Sequence, residues 1–159
     1  MLMAFGRNGL IGSALESIGL HISFTTTAVV FAQIFVASPF FVRSAKLGFQ
    51  SVAKDYEDVA QTLGVSPLRT FFRITLPLAA PAMFTGLGIA WARALSEFGA
   101  TMMFAGNLTG ETQTMPLAIM SAMESSLDGA LALSVILLAG SVLLLALLGL
   151  LTRPRWQGR

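Results

Sequence analysis

At 159 residues the chain amounts to one domain at most. Hydrophobic residues make up 55% and charged residues 11%, where a soluble domain carries about 25% charged, and the mean hydropathy of +0.76 is too high for a water-soluble globule or a disordered chain. An integral membrane protein remains, and with no cysteine and His21 as the only histidine, disulfides, thiolate chemistry, His/Cys metal sites and His-based triads are all but excluded.

Met1–Phe5 reads as the end of an apolar helix, followed by a turn over Gly6–Gly9. It lacks the basic region and full apolar core of a signal peptide, so the chain reads as the C-terminal part of a longer membrane protein. The first uncharged run long enough to cross a bilayer is 24–42, with Ser38-Pro39 as a kink. A basic connection follows, with Arg43, Lys46, Lys54, Arg69 and Arg73. Within it a helix is expected over 51–63, with Ser51 as N-cap and Gly64 as its C-terminal break. Ser66 with Pro67 at the first helical position starts a second short helix. Ala60 and Gly64 are small enough for a partner surface to approach closely.

The second span begins at Ile74, and its helix is expected to run to about 103. Gly86 and Gly88 with Ala82 and Ala90 give it a small-residue face suited to close packing, against a second copy or a neighbouring helix. Arg93 and Glu97 lie four residues apart on one helical face inside this span. An intramembrane ionisable residue is a functional candidate, and the spacing also allows a self-neutralising structural pair. The connection 104–128 has no Lys or Arg but carries Glu111, Glu124 and Asp128. The third span, 129–152, is the most apolar and leads into Arg153, Arg155 and Arg159. Positive loops mark the cytoplasmic side, so three spans place 43–73 and 153–159 inside and 104–128 outside. The basic clusters flank apolar runs rather than forming an aromatic-studded stripe, which argues against nucleic acid. Neither Lys46 nor Lys54 follows a glycine, so no phosphate loop of the G-x-x-x-x-G-K type is present. The scattered methionines, Met102, Met103, Met115, Met120 and Met123, suit gap filling better than a metal route.

Asp58-Val59-Ala60, Gly64, nine residues, then Ile74-Thr75-Leu76-Pro77 resembles the EAA loop of ABC importer permeases, Glu-Ala-Ala, three residues, Gly, nine residues, Ile-x-Leu-Pro. Ala60, Gly64, Ile74, Leu76 and Pro77 match in register; Asp58 stands for Glu and Val59 for Ala. The stretch 92–100, ARALSEFGA, is similar to the ARxxGEFGA segment of molybdate and sulfate permeases, with Ser96 where Gly is usual. The stretch 106–116, GNLTGETQTMP, is similar to the GNxxGxTxTxP segment of molybdate permeases. The resemblance implies an all-α integral membrane protein, the type I ABC importer transmembrane bundle. It makes 1–159 one transmembrane domain, its C-terminal part, with spans near 24–42, 74–103 and 129–152 and a cytoplasmic EAA loop over 51–77. Two or three further spans are expected ahead of residue 1.

By the same resemblance the loop residues Asp58, Val59, Ala60, Gly64, Ile74, Leu76 and Pro77 couple the membrane helices to a separate ATPase chain. Two permease copies form the channel, and an extracytoplasmic binding protein delivers an oxyanion, molybdate first. Arg93 and Glu97 are pathway or gate candidates. The permease chain itself catalyses no covalent chemistry and carries no cofactor or metal. Rival readings are the same architecture carrying sulfate, thiosulfate or tungstate, an intramembrane enzyme, and a non-transporting membrane scaffold.

Overall fold

The computed structural model describes residues 22–151. The expectations for Met1–Gly9, His21 and the arginines after Thr152 lie outside the described residues. The described residues are helical and contain no strand, as an all-α membrane chain requires. In chain order the elements are α1 (Thr26–Gln50), α2 (Lys54–Thr62), α3 (Pro67–Thr70), a π-helical turn (Phe71–Thr75), α4 (Leu76–Leu95), α5 (Gly99–Ala105), α6 (Met115–Ser125) and α7 (Leu127–Leu151). Three stretches are long and apolar enough to cross a membrane: Thr26–Gln50, Pro67–Leu95 and Leu127–Leu150. Helix is the only way such open runs can satisfy their backbone groups in hydrocarbon.

Three boundaries differ from those read off the sequence. The first helix continues beyond Val42 to Gln50, carrying Arg43 and Lys46 on its last turns. Ser51 does not cap α2. Its hydroxyl donates to the Gly48 carbonyl at 2.7 Å and its N–H to the Leu47 carbonyl at 3.0 Å, so Ser51 terminates α1, and the N-cap of α2 is Ala53. The second span does not continue as one helix to about 103. It stops at Leu95 and a separate helix, α5, starts at Gly99.

The chain divides into two compact units. One combines the described residues up to Ala37 with Ala92–Val142. Its core is Ala28, Val29 and Ala32 of α1 against Phe104 and Ala105 of α5. The Phe24 N–H donates to the Phe104 carbonyl at 3.2 Å, and Thr26 Oγ1 donates to the Glu111 carbonyl at 3.2 Å.

The other unit combines Ser38–Trp91 with the residues from Leu143 onward. Here the small-residue face of α4 meets the chain's own helices. A Cβ on Gly86 would lie 2.3 Å from Ser44 Cβ, one on Gly48 2.8 Å from Ala82 Cβ, and one on Gly88 3.2 Å from Leu148 Cδ1. Without side chains at these glycines, α4 packs directly on α1 and α7, the close approach by which helices associate in lipid. The most apolar window of α7 has none of its residues buried. A helix apolar on all sides and so thinly covered by protein suits lipid.

Candidate functional site

The segment between α1 and α4 is built by local rules. α2 is polar, carries Asp55 and Glu57 in its first turn, and buries only Ala60. The two acids complement the positive end of the helix dipole. Its end is a Schellman motif: the Gly64 N–H donates to the Gln61 carbonyl at 2.9 Å and the Val65 N–H to the Ala60 carbonyl at 3.0 Å. Gly64 has φ +75°, the left-handed conformation that glycine adopts without strain. The break expected at Gly64 is there. Ser66 is extended (φ −64°, ψ 146°) and Pro67 opens α3 at its first position, although the Ser66 side chain makes no capping bond.

α3 runs straight into the π-helical turn Phe71–Thr75, where the Leu76 N–H donates to the Phe71 carbonyl. Pro77 accounts for the widened turn. A proline ring in a helix collides with the carbonyl four residues earlier, here Arg73, and a wider turn moves that carbonyl aside. Two contacts tie the turn to its surroundings. Phe71 stacks on Phe49 of α1 (centroids 5.9 Å, planes 21° apart) and meets Phe72 edge-on at 5.2 Å. Thr75 Oγ1 donates to Glu57 Oε1 of α2 at 2.7 Å.

The motif residues separate by exposure. Asp58, Val59, Gly64 and Pro77 are exposed, Ile74 and Leu76 are half-buried, and Ala60 is buried. Sequence reasoning named Val59 but missed three neighbours, Tyr56, Leu63 and Leu68. Tyr56 and Val59 of α2 and Leu63 at its C-cap follow one another at helical spacing and are 55%, 58% and 77% exposed, with Leu68 of α3 at 70%. An apolar ridge on an otherwise polar helix wants a partner surface. Its signal was the i, i+3, i+7 spacing. Beside it, Lys46, Gln50, Lys54 and Glu57 line an open cleft together with Phe49 and Val52.

Arg93 and Glu97 are brought together. Arg93 Nη2 and Glu97 Oε2 are 2.9 Å apart. Glu97 lies beyond the end of α4, and its Oε1 accepts the Ala100 N–H at 2.8 Å. Phe98, the N-cap of α5, supplies no side-chain bond, so Glu97 takes over part of that task. Arg93 Nη1 also donates to Ser96 Oγ at 3.3 Å, and that hydroxyl donates to the Arg93 carbonyl at 3.0 Å. These bonds hold the chain in the break between α4 and α5.

The stretch 106–116 is a compact turn system. Gly106 and Gly110 have φ +76° and +84°. The Leu108 N–H donates to Thr112 Oγ1 at 3.0 Å, and the Leu108 carbonyl accepts from the N–H groups of Glu111, Thr112 and Gln113. Asn107 Nδ2 donates to Ser121 Oγ of α6 at 2.9 Å. Pro116 sits in the first turn of α6, with Thr114 as N-cap.

A family model described as the binding-protein-dependent transport system inner membrane component matches residues 1–156. The molybdenum transport system permease protein ModB of Mycobacterium tuberculosis is 46% identical over 143 residues, covering 90% of this chain and 54% of that protein. The probable transport system permease protein NifC of Clostridium pasteurianum is 40% identical over 153 residues, covering 96% of this chain and 54% of that one. The sulfate transport system permease protein CysW of Synechococcus elongatus is 40% identical over 119 residues, or 75% of this chain and 42% of that protein. The chain thus spans about half the length of the curated relatives it matches. A polar helix, a glycine turn and a proline-widened entry into an apolar helix therefore stand in a chain that belongs to the family of inner membrane components of binding-protein-dependent transport systems.

Proposed function

We propose that the chain is the pore-forming permease part of an ATP-driven importer for a tetrahedral oxyanion, molybdate in the first place. The observation that carries the reading is the continuous path from α2 through the Gly64 turn, α3 and the π turn into α4. The 46% identity to a molybdenum permease supports the choice of cargo. A separate ATPase docks on the ridge of Tyr56, Val59 and Leu63. Burying each of those side chains stabilises the contact by roughly 1.5–3 kcal/mol before the costs of association. Asp58 offers the same partner an exposed acceptor. Closure of an ATPase pair pushes the loop, and α3 with the π turn passes the push to α4, whose glycine face slides on α1 and α7.

The channel is completed by a second permease copy, and an extracytoplasmic binding protein delivers the anion to the 104–128 side. Arg93 provides a positive group on the anion's route. Because Glu97 already neutralises much of it, the anion is attracted without being held, as conduction demands. Hydrolysis belongs to the ATPase, and the permease does no covalent chemistry.

The test is uptake of labelled molybdate by permease-deficient cells holding the ATPase and binding protein, with the chain supplied within its full-length permease. Val59→Glu should abolish co-purification of the ATPase and uptake together. ATPase retention by that variant would remove the docking surface from α2. Sulfate is the second reading, favoured by the 40% identity to a sulfate permease. Efficient competition by sulfate at equal concentration, with weak competition by tungstate, would replace molybdate as cargo. Stable membrane insertion with no ATPase bound and no uptake would leave a scaffold.

A further inference from the structure

We infer that the Glu57–Thr75 hydrogen bond is the latch that makes α2 a rigid lever on the membrane helix, with Glu57 and Thr75 as positioning residues for coupling; the inference rests on the docking role proposed for α2. The bond spans 18 residues and joins a half-buried carboxylate to a hydroxyl that is 6% exposed.

The Thr75 hydroxyl departs from the local habit. Thr85, Ser134 and Ser141 each donate to the carbonyl four residues earlier in their own helix, and Thr70 to that of its N-cap, Ser66. The equivalent acceptor for Thr75 is the Phe71 carbonyl, which the π turn gives to the Leu76 N–H. The Thr75 hydroxyl instead leaves its own helix, and Glu57 of α2 receives it. An O–H donor to a carboxylate is about twice as strong as a neutral pair.

Little else holds α2. It buries only Ala60, and its outer ridge is free. An element with so few buried contacts opens locally at low cost. A lever must keep its angle when pushed, or ATPase closure will tilt α2 without moving α4. The latch fixes that angle at the residue where the π turn becomes the span. Glu57 precedes Asp58 and lies outside the motif matched in the sequence, so its role is separate from the ATPase contact.

Two measurements on the full-length permease test this. A nitroxide on Gln61→Cys, read in lipid nanodiscs without ATPase, reports the mobility of α2. Thr75→Val, which keeps shape and loses the donor, should sharpen the spectrum, and so should Glu57→Ala. Thr75→Ser and Glu57→Gln, which keep donor and acceptor, should resemble the parent. In proteoliposomes with ATPase and binding protein, Thr75→Val and Glu57→Ala should raise ATP hydrolysed per anion imported by about tenfold or more, the scale of one lost hydrogen bond to a charged group. The double variant should be no worse than either single one, because both remove the same contact. An unchanged spectrum for Thr75→Val overturns the latch, and so does an unchanged ATP-to-anion ratio beside a working parent. If the parent neither binds an ATPase nor imports, the docking proposal fails, while the spectrum still decides whether the latch exists.

Discussion

The Arg93 guanidinium lies 2.9 Å from one carboxylate oxygen of Glu97, and the other oxygen accepts the Ala100 N–H that opens α5. One side chain therefore both neutralises a cation and starts a helix. Arg93 is 36% exposed at its side chain and Glu97 only 5%, so loss of Glu97 is felt mainly through the uncapped helix and a solvent-screened arginine. Glu97→Ala is expected to cost about 2 kcal/mol, the range for a hydrogen bond to a charged group, seen as a lower thermal midpoint in detergent. Glu97→Gln keeps the acceptor for Ala100 and should lose less. Uptake separates brace from pathway. If the pair is only a brace, the double change Arg93→Gln with Glu97→Gln recovers transport that Arg93→Gln alone loses. If Arg93 draws the anion, the double variant stays slow at normal stability.

At Gly64 the penalty for a side chain is purely conformational. No atom lies within 4 Å of a Cβ built there, yet φ is +75°. Gly64→Ala should destabilise the α2–α3 turn by about 1–2 kcal/mol, and Gly64→Asn by less, since asparagine tolerates the left-handed region. Membrane insertion should be unaffected in both. In the reconstituted transporter, Gly64→Leu should hydrolyse ATP with little anion import. Normal coupling in Gly64→Leu would show that the turn's geometry is not used.

Apolar runs, basic flanks and loop glycines were legible in the sequence because each follows from one local rule. The lengths of uncharged segments marked the spans, and the Gly64 break and the Pro67 start were readable from residue type alone. What escaped depended on contacts between distant residues or on competition between neighbouring rules. Ser51 has the chemistry of an N-cap, but its hydroxyl found the Gly48 carbonyl behind it first. The i, i+4 spacing of Arg93 and Glu97 suits one helix continuing past Leu95, yet the Glu97 carboxylate and Ser96 hydroxyl close a break there. The Thr75–Glu57 bond joins residues 18 apart in sequence, and the π turn beside it arises from Pro77 acting on a helix whose register no periodicity records. The face made by Gly86 and Gly88 was visible, but its partners, Ser44 and Leu148, lie far away in sequence.

Those partners give a stability prediction. A methyl on Gly86 would sit 2.3 Å from Ser44 Cβ, and both atoms belong to packed helices. Gly86→Ala should therefore force α1 and α4 apart and cost about 1–3 kcal/mol, the usual range for overpacking. Ser44→Gly in the same chain should return much of it. Gly140 of α7 has no atom within 4 Å of a Cβ, so Gly140→Ala should be neutral or slightly stabilising through helix propensity. Thermal midpoints in detergent would rank the four proteins. Equal midpoints for Gly86→Ala and Gly140→Ala would mean that α1 and α4 do not touch at Gly86.

Sidedness can be read without a transport assay. The chain contains no cysteine, so any introduced thiol is the only one this segment contributes. The connection 104–128 carries Glu111, Glu124 and Asp128 and no Lys or Arg, whereas α1, α2 and the π turn carry Arg43, Lys46, Lys54 and Arg73 around the other ends of the spans. Basic residues stay on the cytoplasmic side during insertion because moving them across is opposed. Thr109 and Ser125 are exposed in the first connection and Asp55 in the second, and none of the three makes a side-chain bond on which the fold depends beyond the Ser125 hydroxyl's link to its own helix. Thr109→Cys and Ser125→Cys should react with a membrane-impermeant thiol reagent in cells with an intact inner membrane. Asp55→Cys should react only after that membrane is opened. The opposite pattern would invert the topology, move α2 to the face where no ATP is available, and remove the coupling role from the Gly64 loop altogether.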